Sequence, residues 1–190
     1  GYYLTNLLKM PKNYIVIQYE YVIGDIASEQ YIQKLQGAKS IWNHSIHEID
    51  KFKTKINESL FTHTPLHYSS HMDSKLRINN TLKDIDILIN IPINGIDRRE
   101  SIVNELNEKY NIHITTHSLL TNEKIKLFHR SKIILNILFN ETDYIDLYDY
   151  WYFLNNQGFL ITEINEKERQ NYEKYMICTD YDSLIEKCIY

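Results

Sequence analysis

Apolar positions along this chain fall into short β-branched runs, each followed by a stretch at helical spacing. Residues 13–20 (NYIVIQYE) read as a buried strand, rich in β-branched and aromatic side chains. Residues 27–37 then bring Ile32 and Leu35 to one side of a helix, with Gly37 as its stop. A short strand is expected at 39–43. Ser45 is placed to cap a helix reaching residue 57, in which Ile46, Ile49, Phe52 and Ile56 recur at helical spacing. Residues 61–64 form another short strand, closed by Pro65, and residues 1–10 are a short amphipathic piece ended by Pro11.

Residues 67–81 are polar and without periodicity, the pattern of a linker. Beyond them the alternation is regular. Strands are predicted at 85–91, 112–116, 132–138, 159–163 and 175–179, and helices at 97–110, 122–130, 142–156, 166–172 and 181–189. A helix after every strand calls for a parallel sheet, because parallel strands need a crossover. The fold class is therefore α/β with two Rossmann-like lobes. A partial N-terminal lobe occupies 1–70 and lacks an opening βα unit, and a C-terminal lobe of about five parallel strands occupies 82–190.

Composition narrows the function classes. The formal net charge of −4 offers no broad attraction to nucleic acid or an anionic membrane, so neither is an expected partner. A phosphate-bearing ligand would need local donors. Sixteen Tyr beside only 5 Gly, with abundant Ile, Asn and Lys, is the bias of an AT-rich genome, viral or microbial. Cys178 and Cys188 stand without a CxxC or a His/Cys cluster, which favours free thiols over a metal site or a disulfide. No apolar run approaches the roughly 20 residues that span a membrane, and no signal peptide is visible. The expected setting is cytoplasmic, the host cytoplasm if the chain is virus-encoded.

Candidate chemistry gathers where strands hand over to helices, since open α/β sheets bind ligands outside the carboxyl ends of their strands. The acidic turn at 140–146 is such a place, and the strand at 159–163 ends on the carboxylate of Glu163. The pair Asp84 and Asp86 has the spacing of a metal-binding DxD, but it precedes its apolar run instead of ending it, so no metal is assigned. His113 and His117 flank a strand end, where a lone His is more often structural. Ser59, Ser69 and Ser118 lack the Gly-flanked elbow of a hydrolase nucleophile.

The stretch from Asn136 to Glu163, NILFNETDYIDLYDYWYFLNNQGFLITE, resembles the small GT-B-type glycosyltransferases, close to the glycosyltransferase family 1-like proteins of bacteria and large viruses. Their segment reads roughly N-I-H-Y-Y-E-x-x-x-L-E-x-x-R, then a helix, then V-V-S-E. Asn136, Ile137, Glu141, Asn156 and Glu163 match, Asp146 falls on the second Glu, and Thr162 on the Ser. YIVIQYE is similar to Y-I-V-Y-N-x-E-Q, AKSIWNHS to A-x-x-V-W-D-Y-S, and TPLHY to x-P-x-G-Y. The loop at 90–99, NIPINGIDRR, is similar to Y-G-S-x-N-x-R-R. The resemblance covers most of 13–165 and implies a family protein without its first part, a piece of a longer chain with further domains.

The resemblance also implies roles. Asp146 would accept hydrogen bonds from the ribose of a nucleotide-sugar donor, as a carboxylate can from a vicinal diol; the plain alternative is an acid favoured near a helix N-terminus. Asn94, Gly95, Arg98 and Arg99 would hold the diphosphate, against the alternative of a solvated helix start. Glu141 and Thr142 would join the donor site, against ordinary capping. Glu163 and His117 are the catalytic candidates. The implied reaction moves a sugar from a UDP- or GDP-sugar to a glycan, protein or small-molecule acceptor, without a metal or other cofactor. Two departures stand out: Asp149 replaces the family's Arg, and Leu138 its His. A degenerate, inactive lobe serving as a binding or assembly module is the rival reading.

Overall fold

A computed structural model describes residues 10–18, 29–65, 82–90, 97–115, 122–140, 143–145 and 147–189, with backbone alone at 148 and 149. Two compact units divide the chain, Gly1–His67 and Tyr68–Tyr190. Each carries a parallel sheet with helices between its strands, so the α/β class and the parallel pairing stand. The expected linker at 67–81 and the amphipathic piece ending at Met10 lie, apart from Met10 itself, outside the described residues.

In the first unit, β1 (Ile15–Gln18), β2 (Ser40–Asn43) and β3 (Phe61–His63) pair in that order, all parallel. Helix α1 (Glu29–Gln36) joins β1 to β2, and α2 (Ile46–Phe52) leads through a short 3-10 turn at Glu58–Leu60 into β3. Ser45 caps α2, its hydroxyl accepting from the Glu48 amide at 3.4 Å. Alternation along the strands buries Val16 and Ile41 beneath Tyr31 and Leu35 of α1 and Phe52 of α2. The opposite face leaves Ile15, Ile17 and Trp42 exposed, at 51%, 49% and 39%.

In the second unit the strands are β4 (Ile85–Ile89), β5 (Ile112–Ile114), β6 (Ser131–Asn136), β7 (Leu160–Glu163) and β8 (Ile177–Thr179), in spatial order β5-β4-β6-β7-β8. Helices α3 (Asp97–Asn107), α4 (Asn122–Arg130), α5 (Leu147–Asn155), α6 (Glu166–Tyr172) and α7 (Leu184–Cys188) follow the strands in turn. Leu88, Ile134 and Leu160 stand in register on one face and meet Phe128 of α4 and Tyr150 and Phe153 of α5. Ile87, Leu135 and Ile161 turn to the other face and meet Ile102 and Leu106 of α3 and Leu184 of α7. These strands are apolar on both faces, which is why they read as continuous runs in the sequence.

Most boundaries fall within two or three residues of the pattern, and α4 and α6 coincide with it. The exceptions are α2, expected to reach residue 57 but ending at Phe52, and α5, expected from residue 142 but beginning at Leu147. The Asp143 carboxylate bonds back to the Asn140 amide at 3.0 Å, and the Asp143 amide to the Asn140 carbonyl at 3.0 Å. The Ile145 amide is taken by Glu168 of α6, also at 3.0 Å. Side chains thus hold the turn in a form that a helix at those positions would break.

Candidate functional site

In the second unit strand order reverses between β4 and β6, so their connections leave toward opposite faces, the position at whose carboxyl ends open α/β sheets bind ligands. Five side chains, three at these strand ends and two in the first turn of α3, define the described part of the site.

Asn136 ends β6. Its amide nitrogen donates to Thr162 Oγ1 of β7 at 2.9 Å, and its oxygen accepts from the Tyr150 hydroxyl of α5 at 2.8 Å. It is a satisfied brace joining two strands and a helix. Glu163 ends β7, its side chain 5% exposed. Its Oε2 accepts from the Leu138 amide at 2.9 Å, and Arg98 closes a two-pronged pair on it, Nη1 to Oε2 at 2.9 Å and Nη2 to Oε1 at 2.7 Å. Arg98 Nη1 also donates to the Leu138 carbonyl at 2.8 Å. The guanidinium lies over the Tyr181 ring at 4.4 Å, and the Tyr181 hydroxyl donates to the Arg98 carbonyl at 2.7 Å. Arg99, buried beside it, donates from Nε to the Ile137 carbonyl at 3.0 Å. Burial draws its pKa below the ordinary value, as does Arg98, while Tyr150, Asp143 and Glu163 act the other way.

The first turn of α3 therefore grips the ends of β6 and β7. Arginines at a helix N-terminus oppose the helix dipole; here strand-end carbonyls and one carboxylate supply the compensating negative charge. The fork of Arg98, which a diphosphate could use, is matched in this arrangement to Glu163.

The fifth residue is Asn90, one position past β4. It is 4% exposed, and neither atom of its amide has a hydrogen-bond partner. A buried amide without partners costs on the order of 1–3 kcal/mol, so its place at the reversal point asks for a reason.

Of the residues named from sequence, the structure brings Arg98, Arg99 and Glu163 together. Asn94, Gly95, His117, Glu141, Thr142 and Asp146 lie outside the described residues, as does the Asp149 side chain. Asp84 and Asp86 sit at the amino end of β4, paired with Arg130 and with Lys132 (2.6 Å) respectively. Among the described residues no cluster of His, Cys, Asp or Glu could hold a metal ion, and no helix is long and apolar enough to cross a membrane. Both cysteines are free thiols; burial pushes Cys178 up to about 11 and Cys188 up to about 12.

Asn90 was missed as a site residue, though the sequence held a signal. The chain repeatedly ends an apolar strand on an amide: IVIQ at Gln18, SIWN at Asn43, ILIN at Asn90 and IILN at Asn136. Compared with known proteins, the chain matches no family model, and no curated protein matches it.

Proposed function

We propose that the second unit binds a nucleotide-sugar at the crevice between β4 and β6, and that the chain transfers the sugar to an acceptor held by the first unit in a GT-B-type arrangement. The observation that carries this is Asn90, a buried amide with both atoms unpartnered at the point where strand order reverses. On this reading Asp146 receives the ribose hydroxyls, while backbone groups of the loop holding Asn94 and Gly95 meet the diphosphate. Arg99 adds positive charge that stabilises the departing diphosphate, while the charge of Arg98 is balanced by Glu163 and Arg98 helps to shape the strand ends. Glu163 serves by fixing Arg98 and the Leu138 amide; His117, Glu141 and Thr142 complete the candidate set.

Calorimetric titration of the protein with UDP- and GDP-sugars tests it. The parent binds one of them, and Asn90→Leu loses that binding while melting no lower, because the unpaired amide is gone. Failure of every nucleoside diphosphate to bind the parent would sink the reading.

A second reading has its own observation. Parallel sheets normally have both faces covered, yet Ile15, Ile17 and Trp42 are exposed on one face of the first unit's sheet. A catalytically inactive lobe acting as an assembly module would use such a face. Absent nucleotide binding together with a self-associating or partner-bound state abolished by Ile17→Thr favours it.

A further inference from the structure

Gln18 and Asn43 are register partners at the carboxyl ends of adjacent strands β1 and β2. In-register residues of parallel strands point to the same face, here the buried one. Gln18 is 3% exposed and Asn43 1%. Neither Gln18 Oε1 nor Nε2 has a partner, and Asn43 Nδ2 has none; Asn43 Oδ1 accepts from the Ser45 amide at 2.8 Å. Asn136, the amide ending β6, shows how this chain satisfies a structural amide, with both ends bonded to neighbouring side chains. Gln18 and Asn43 leave three polar atoms over, at a strand edge where an open sheet takes its ligands.

We propose that Gln18 and Asn43 form a binding site in the first unit for an uncharged ligand whose polar groups both donate and accept hydrogen bonds, and that this ligand is a carbohydrate. The neutral donor-and-acceptor character follows from the amides alone. Gln18 Oε1 needs a donor, which an ionised phosphate or carboxylate does not offer; the two nitrogens need acceptors, which an ammonium does not offer. A hydroxyl supplies both. The adjoining His44 is held below its ordinary pKa by burial, with a backbone hydrogen bond at Gln18 acting against and His63 in the same direction, which works against a cation beside the two amides. That the ligand is a sugar, and the acceptor of the transfer, rests on the reading above.

The test follows the side-chain amide signals of ¹⁵N-labelled protein during titration with methyl glucoside, galactoside and mannoside, with inorganic phosphate and uridine as parallel arms. The Gln18 and Asn43 signals move with at least one glycoside, with a millimolar Kd typical of a free monosaccharide. Gln18→Met raises that Kd by roughly tenfold or more without lowering the melting temperature, since it removes an unpaired buried amide. Asn43→Asp keeps the acceptor that Ser45 uses, drops the Nδ2 donor, and weakens binding too. No shift with any glycoside overturns the proposal, as does movement with phosphate or uridine instead. So does a Gln18→Met protein that is more stable yet binds sugar unchanged. Nucleotide titration read at Asn90 is independent: sugar binding without nucleotide binding leaves this site standing and removes only the name of acceptor.

Discussion

Glu168 sits 1% exposed on the inner side of α6, its carboxylate accepting from the Ile145 amide of the acidic turn. Burial outweighs that hydrogen bond and pushes its pKa up to about 7 from 4.5. A carboxyl whose folded pKa is raised favours folding while neutral. That contribution is complete below the unfolded value and is lost as pH rises through about 7. The rise corresponds to roughly 3 kcal/mol. Glu168→Gln keeps an oxygen for the Ile145 amide and removes the titration. Its melting temperature should match the parent near pH 5, exceed it at pH 8, and show a flatter pH profile by calorimetry. The Arg98–Glu163 pair makes the opposite kind of case, because its charges compensate each other. Arg98→Ala leaves Glu163 buried and unpaired and should cost about 3 kcal/mol by denaturant melts, whereas Arg98→Met with Glu163→Leu should recover most of it. These residues stand 65 positions apart, and no local pattern in the chain announces that they meet.

At the scale of elements, the strands and most helices were legible because hydrophobic burial and backbone pairing decide them, and both leave a period in the sequence. The start of α5 was not legible. Thr142 with following acids has the composition of a helix start, but Asp143 bonds back to Asn140 and Glu168 captures Ile145 from another helix. The end of α5 shows the reverse, a local rule obeyed with an unusual residue. Gln157 takes the left-handed position after the helix, φ 60°, which glycine normally fills, and the Gly158 amide closes on the Phe153 carbonyl at 3.0 Å. Gly158 itself lies against the Phe153 ring, so that a Cβ there would collide with it. Gln157→Gly should therefore raise stability by up to about 1 kcal/mol. Gly158→Ala should lower it by more than Gln157→Gly gains, because the ring lies in the second unit's core; thermal melts of the two variants decide.

At the scale of the whole molecule, each sheet carries amides at the carboxyl ends of its strands, and in each at least one is buried without a partner. Residues kept at a cost to stability point to function more directly than residues that stabilise, since selection for folding alone would remove them. The second unit closes two cores, one on each face of its sheet, from its own strands and helices. Every described contact of Asn90, Arg98, Arg99 and Glu163 named here also falls within 68–190. A fragment spanning those residues should therefore unfold cooperatively and bind the same nucleotide as the full chain, with Kd within about threefold. On the proposed reading sugar transfer should be absent from it, because Gln18 and Asn43, the amides proposed to bind the sugar, belong to the first unit. Calorimetry of fragment and full chain against one UDP- or GDP-sugar decides the matter. A folded fragment that has lost the full chain's nucleotide affinity would move the donor site out of the second unit alone, and with it the role given to Asn90.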